Sequence, residues 1–598
     1  MKGRIDMNGS SVHTVVAALG LGLVAACGAS ASPDVFRDGG APVTPDGGAS
    51  TSTPPATDGG VPSLGTGTYD GGTGTTAPVQ PTGPVTDFPA PILDGTAPTN
   101  APALFGPSTQ GASTGGPCLV EPASDVVYPQ NWLRPRFTWA AANGETLFEL
   151  RLHVGNQLDD LVVYSTNTTW TMPQASWDAL RTHSPTEPMT LTVRGGILSG
   201  GALQGEALGT STPMGVAPVQ ATGAIVYWTT DDTTTGTAAL KGFSPGDESV
   251  EEVLAPSQYA QAQGTSSQCI GCHTSAPDGE FVAFTTTSSA EQQWSDALAL
   301  IDPDGGAVGS APSYVSSSGA QALARWNVGA MAFSPAHWTT GDRHAVVSYD
   351  NDNSGSDIVL SWIDVEAASA AQASGTLARN GDSQLAGAPA WSHDGSTIAY
   401  VSTNRVCTGR LGNCTPQYEE PSDPGSRADL YVVPYAAGAG GDATPVQGAS
   451  DPTLQEYYPS FSPDDQWLVF NRAPNDDNLY DQPAAEVFVV PAGGGTATRL
   501  AANDPPACSG VTSPGITNSW GKWGPTAYAA NGSTYYWLVF SSKRAGAAAQ
   551  LYITSLVSAP DGSLTTHGAL YLWNQPATES NHTPAWDAFK VPPIPAPH

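Results

Sequence analysis

"GAPAWSHDGSTIAYVS", residues 387–402, sets two short apolar runs on either side of a polar turn. Asp394-Gly395 supplies the positive φ of a tight hairpin turn, and the flanking runs have the length and residue types of strands. The same texture returns in "YYPSFSPDDQWLVFNR" (457–472), "VGAMAFSPAHWTTGDRHAVVSY" (328–349) and "GCHTSAPDGEFVAFTT" (271–286). A third strand follows each time: "DALALID" from Asp296, "DIVLSWID" from Asp357, "ADLYVVP" from Ala428, "AEVFVVP" from Ala485 and "QLYITSL" from Gln550. Repeats of this length are stacked supersecondary units, and short antiparallel sheets of about four strands arranged in a ring are the expected product.

Two fragments bear on closure of that ring. "GAIVYWTT" (223–230) begins the repeats without an inner strand, and "NHTPAWDAF" (581–589) ends them with an inner strand alone. Together they complete one blade. These blades resemble the PD40 repeats of TolB-like (WD40-like) six-bladed β-propellers, and similar blades occur in bacterial lipoproteins with an embedded c-type haem motif. The likeness covers residues 222–589, with "SHDG" and "APDG" as near-complete turns, "SPDD" and "SPAHWTTGD" as departures, and an insertion in "KWGPTAYAANGSTYYWLVF" (522–540). It implies an all-β fold.

Ahead of the repeats, "RPRFTWA", "LFELRLHV", "DLVVYST" and "MTLTVRGG" are short strands spaced as in an Ig- or fibronectin-like sandwich over residues 118–217. Trp139, Trp170 and Trp177 are its expected core, and His153 reads as a surface or hydrogen-bonded histidine. Residues 27–117 are rich in Pro, Gly, Ser, Thr and Ala and cannot bury enough apolar surface to offset their ordering entropy, so a disordered tether is expected. It would hold the body on the order of 50 Å from its anchor. Residues 590–598 form a short tail.

The anchor is legible at the start. Lys2 and Arg4 precede an uncharged run, residues 15–26, too short to span a bilayer, which ends in Leu23-Val24-Ala25-Ala26-Cys27. Residues 1–26 read as a signal peptide and resemble the lipobox of bacterial lipoproteins, which implies acylation of Cys27 and attachment to membrane lipid. Gly28 in the next position favours an outer-membrane lipoprotein facing the periplasm or the cell surface. A net charge of −33, from Lys+Arg 21 and Asp+Glu 54, excludes nucleic acid as a partner.

An exported chain permits the remaining chemistry. Of 7 cysteines, Cys407 and Cys414 flank one insertion and are expected to form a disulfide; Cys118 and Cys508 are left as a candidate second pair. Cys269, Cys272 and His273 have the spacing of covalent haem attachment, with two thiols for the vinyl groups and His273 for the haem iron. A C-x-x-C disulfide and a zinc site are the alternatives. Aligning the turns places His273 at the positions of Pro389, Pro459, Pro584 and Met331, on innermost strands. The haem would then sit at one mouth of the central channel. Met331 is the expected sixth ligand and His582, two residues before Pro584, the runner-up; each also reads as ordinary packing.

"DNDNSGSD" (350–357) resembles a calcium loop but has Ser361 where the bidentate Glu belongs, so a polar hairpin competes with calcium there. No G-x-S-x-G elbow stands between a strand and a helix, and no catalytic residues are assigned. Two functions follow: a lipid-anchored monohaem cytochrome serving an unknown redox partner, or a protein- or glycan-binding envelope module in which haem is structural or absent; an enzyme using an open haem site for peroxide chemistry is a third class to which no residue of the sequence commits.

Overall fold

The computed structural model describes residues 88–108, 115–230, 238–265, 267–288, 294–301, 306–325, 329–351, 357–404, 427–475 and 479–592, with side chains omitted at 206, 268, 269, 287, 288 and 294. Cys27, Cys407, Cys414 and most of the candidate calcium loop lie outside these residues, as does the Cys269 side chain.

The chain is predominantly β. Strands Ile92–Asp94, Leu161–Ser165, Leu147–Val154, Met189–Ser199, Ala202–Val216 and Val126–Tyr128 form one sheet, and Cys118–Glu121, Arg136–Ala140 and Thr169–Thr171 form a second. Between them Trp139, Trp170 and Trp177 are buried as expected, and the Trp177 indole donates to the Trp132 carbonyl at 2.8 Å. His153 is exposed, 2.8 Å from Asp160.

This sandwich begins earlier than residue 118. Ile92–Asp94 pairs in parallel with residues 163–165, and the helix Ala101–Phe105 buries Ala101 and Phe105 beside Leu147 and Tyr164. The expected tether boundary at 117 is therefore corrected for residues 88–108. A few apolar side chains hidden in a Pro- and Thr-rich average suffice to dock the segment.

Six antiparallel meanders follow among the described residues. The first comprises Ala224–Thr230, Ala238–Phe243 and Glu251–Leu254, and its free edge is taken by Ser580–Asp587 from the end of the chain. Next come Ser267–Ser275 with Phe281–Ser288 and Trp294–Leu300, then His344–Asp350 with Ile358–Asp364 and Ser374–Thr376. In that third meander the inner strand is reduced to a bridge between Ala332 and Val346. The fourth starts at Leu385–Trp391, the fifth at Leu454–Phe461 and the sixth at Ser519–Trp523, where Tyr528–Ala530 folds back on Ser533–Ser542 as the insertion.

Each neighbouring pair of meanders shares a core, the one between the sixth and the first being continuous with that of the sandwich. Val226 and Trp228 pack with Ile270 and Phe284; Leu298 with Val347; Val346 and Leu360 with Ile398 and Tyr400. Val401 then meets Leu468, Val469 meets Leu538, and Val539 with Ile553 returns to Ile225 and Tyr227 of the first. Central strands such as Thr397–Thr403 are buried on both faces, which explains their continuous apolar sequence. The turns behave as their residues require: Gly279 has φ 74°, and a Cβ there would lie 2.2 Å from the Ala588 carbonyl oxygen. In the "SPDD" turn Asp465 takes the left-handed conformation at φ 57° in place of glycine.

The sandwich sits on the sixth and first meanders. A disulfide joins Cys118 to Cys508 with Cα atoms 6.0 Å apart, and the Trp573 indole donates to the Arg134 carbonyl at 3.0 Å.

Candidate functional site

The inner strands share one irregularity. Pairing slips by a residue between Gly387 and Ala390, Tyr457 and Ser460, and Ser519 and Lys522, and again where Val226 and Trp228 face Ala585 and His582. At these bulges Ala388, Tyr458, Trp520 and Thr583 have positive φ, although none is glycine. In Ser267–Ser275 the extra residue is Cys272, between Gly271 and His273. The cysteine motif thus occupies the same point of its strand as the bulges of the other meanders.

That bulge turns His273 inward toward the first meander. Its Nε2 lies 3.0 Å from the Val226 carbonyl oxygen, and since a carbonyl only accepts, Nε2 carries the proton. Nδ1 is left with a lone pair, buried and without a hydrogen-bond partner among the described residues. Burial, the first cause, and the Lys522 cation push the His273 pKa down to about 4 against the opposing bond to Val226, so the ring is neutral at pH 7.

Val226 and Trp228 lie on the strand that pairs with Ser580–Asp587, and His582 is the cross-strand partner of Trp228. Its ring packs edge-on against the Trp228 indole, centroids 4.4 Å apart. Nδ1 of His582 is 2.6 Å from the Tyr480 hydroxyl. Burial pushes its pKa down to about 3, with further lowering from Lys543 and from His273. His582 nevertheless keeps a partly exposed edge.

Lys522 completes the charge distribution. Burial lowers its pKa to about 8 while Asp587 works in the other direction. Met331 is 4% exposed and belongs to a separate core with Leu323, Trp338, Val347 and Ile363. Of the two candidate sixth ligands, His582 is the one paired with the strand whose Val226 carbonyl meets His273.

A covalent haem would meet here the neutral imidazole of His273, next to Cys272 in sequence and with its buried Nδ1 unpartnered among the described residues, and a second neutral imidazole, His582, on the strand paired with residues 224–230. Cys272 and His273 are each 3% exposed and Nε2 is engaged, so attachment would cost the bond to Val226 and the close packing of Cys272.

Sequence reasoning did not single out Trp228, Tyr480 or Lys522. Tyr480 lies in "NDDNLYDQP", a stretch with no strand period, and Lys522 opens the segment whose insertion obscured the repeat. Aligning the bulge at Trp520 with that at Tyr458 would have placed Lys522 on the inner strand.

No protein-family profile matches the chain, and no curated protein matches it. Among solved structures, hydrazine synthase of Kuenenia stuttgartiensis is similar over 61% of this chain and 46% of its own, at 11% identity and TM-score 0.37. An oligogalacturonate lyase in complex with manganese is similar over 59% and 75%, at 14% identity and TM-score 0.30. A quinonprotein alcohol dehydrogenase-like protein of Bacteroides thetaiotaomicron covers 79% and 99%, at 10% identity and TM-score 0.24. The chain spans about half the length of the synthase, and likenesses this distant carry no functional argument.

Proposed function

We propose that the chain is an exported, lipid-anchored six-bladed β-propeller, resembling TolB-like propellers and preceded by a β-sandwich, that carries one haem c for electron transfer at the cell envelope. The observation that carries this reading is the shared strand: His273, the histidine of the Cys-x-x-Cys-His motif, meets the Val226 carbonyl, and His582, a second neutral imidazole, pairs with Trp228 two residues on. The propeller reading is supported by the six inter-meander cores, the last of which returns to the first, and by the C-terminal strand in the first meander.

Cys269 and Cys272 would hold the haem, with His273 and His582 as the nitrogen ligands. When bound, the group supplies one-electron exchange at iron, and two imidazoles set a lower potential than a histidine and a thioether. The chain's own residues prepare the site: burial keeps both rings unprotonated, Tyr480 fixes His582 through Nδ1, and Trp228 limits its rotation. Lys522 places a cation nearby, which favours the more electron-rich state of the site.

Anchoring through Cys27 and an outer-membrane location belong to the same proposal. No helix among the described residues is long and apolar enough to cross a membrane. Matured in a host able to attach haem c, the protein should keep its haem on a denaturing gel and give a pyridine haemochrome spectrum. The Cys269→Ala/Cys272→Ala variant should lose both. A colourless wild-type protein from such a host refutes the haem reading; Cys27→Ala protein that stays in the membrane fraction refutes the anchor.

A further inference from the structure

A cavity of about 260 Å³ opens where the sandwich meets the sixth meander, away from the histidine pair. Strands Cys118–Glu121 and Arg136–Ala140 supply one wall; the loop that carries Cys508 and strand Gln550–Ser558 supply others. The Cys118–Cys508 disulfide crosses the same junction and holds the two sides in register.

Its charge is unusual for so acidic a protein. Arg136 is paired, with Nε and Nη2 both donating to Glu121 Oε2 at 2.9 and 2.7 Å, and burial raises the pKa of that carboxyl to about 7 against the pull of Arg136. Arg544 is not so paired. It is 8% exposed, and its Nε and Nη2 go to neutral acceptors: the Ser542 hydroxyl, the Ala502 carbonyl and the Asn518 side-chain oxygen. Among the described residues Nη1 makes no hydrogen bond and no carboxylate lies within ion-pair distance of this guanidinium. The nearest acidic influence, Asp504, is itself bound to Arg499 at 2.7 Å. A cation withdrawn from water without a counter-charge is costly, and a guanidinium edge is shaped to receive a carboxylate.

The other walls are apolar and aromatic. The Tyr552 ring lies under Arg544 at 4.6 Å, the Tyr571 ring lies under Arg136 at 5.3 Å, and the two tyrosine rings are 5.4 Å apart. Pro505, Pro506 and Val120 add apolar surface, and Thr138, Ser509 and the Arg136-bound Glu121 also line the cavity. A phosphate dianion would ask for more donors than the one free guanidinium nitrogen, Nη1, and would leave these walls unused.

We propose that this junction cavity binds a small monoanionic organic carboxylate, with its charge on Arg544 and its apolar body against Tyr552 and Tyr571. The site is independent of haem attachment. Benzoate is the probe and benzamide its neutral counterpart, titrated into the full chain by calorimetry or ligand-observed NMR. Benzoate should bind at least about 10-fold tighter than benzamide, since only the anion compensates the buried cation. Arg544→Gln should abolish the difference. Because Arg544 also braces its neighbours, Ala545→Trp serves as a second variant: this exposed residue at the cavity rim can block access without touching the guanidinium. Loss of benzoate binding in both folded variants supports the assignment. Failure of benzoate to bind the wild type, equal binding of benzamide, or undiminished binding by Ala545→Trp overturns it.

Discussion

His582 is the cross-strand partner of Trp228 and packs edge-on against its indole at 4.4 Å, on the strand whose Val226 carbonyl also holds His273. Strand pairing between the two ends of the repeat region therefore determines whether the two imidazoles meet. In haem-loaded protein, His582→Ala should convert a low-spin spectrum to high-spin, read by visible absorption and electron paramagnetic resonance. Met331→Ala should leave the spectrum unchanged and instead lower stability by about 2–5 kcal/mol, as for other buried large-to-small changes. A spectral change in Met331→Ala with none in His582→Ala would reverse the ligand assignment.

The same two rings make the haem-free protein acid-sensitive. Their folded pKa values, about 4 and about 3, lie below the ordinary 6.5, so the unfolded chain binds more protons as pH falls below 6.5. Stability is fully present above 6.5 and declines toward 4. Each ring should account for a loss of about 2 kcal/mol by pH 5. Urea titrations of wild type and His582→Gln at pH 7 and pH 5 measure it, and an unchanged pH dependence in the variant contradicts the assignment.

Glu456 should act with the opposite sign. It is fully buried, and burial lifts its pKa to about 7 in spite of Arg472, whose Nε lies 3.0 Å away. A raised carboxyl pKa means that the native state binds the extra proton, so this contribution is complete below about 4.5 and is lost as pH rises through 7. Glu456→Gln should flatten the decline between pH 5 and 8 by about 3 kcal/mol or less. The measurement is the denaturation midpoint across that range; a steeper decline in the variant would show that the carboxylate is the stabilised form.

Much of the architecture was readable because it is local. Asp394-Gly395 and Asp278-Gly279 state their turns outright, and the lone inner strand near residue 584 announced its pairing with residues 224–230. Residues whose role depends on long-range packing were not readable. Arg544 looks like any surface arginine until the sandwich covers it, whereas the Cys118–Cys508 pair, reached from sequence only as the two cysteines left over, does form across 390 residues. The place of Met331 relative to the other inner-strand positions was hidden for a related reason. The alignment equated positions along inner strands, but the third meander keeps only a single bridge there, and its methionine drops into the neighbouring core.

Removing the Cys118–Cys508 bridge should weaken the junction. Cross-linking across 390 residues restricts the unfolded chain, and loss of such a bond typically costs about 2–5 kcal/mol. Cys118→Ala/Cys508→Ala should lower the denaturation midpoint and loosen the cavity beside it, seen as faster hydrogen exchange at Leu119 and Trp139. Exchange unchanged at those amides would mean that packing alone holds the sandwich in place.

The bulged inner strands give the last prediction. Ala388 stands at φ 42°, a conformation that costs an L-residue about 1–2 kcal/mol and glycine almost nothing. Ala390, two residues on and past the bulge, pairs in register with Ala399 and is 9% exposed. Glycine at either position adds the same freedom to the unfolded chain, about 0.5–1 kcal/mol against folding. At Ala388 relief of the left-handed strain offsets that term, so Ala388→Gly should be neutral or stabilising by up to about 1 kcal/mol. At Ala390 no strain is relieved and a buried methyl is lost, so Ala390→Gly should destabilise by about 1 kcal/mol or more. Equal destabilisation by the two substitutions in urea melts would mean that the bulge is not strained, and that this inner strand bends without storing energy.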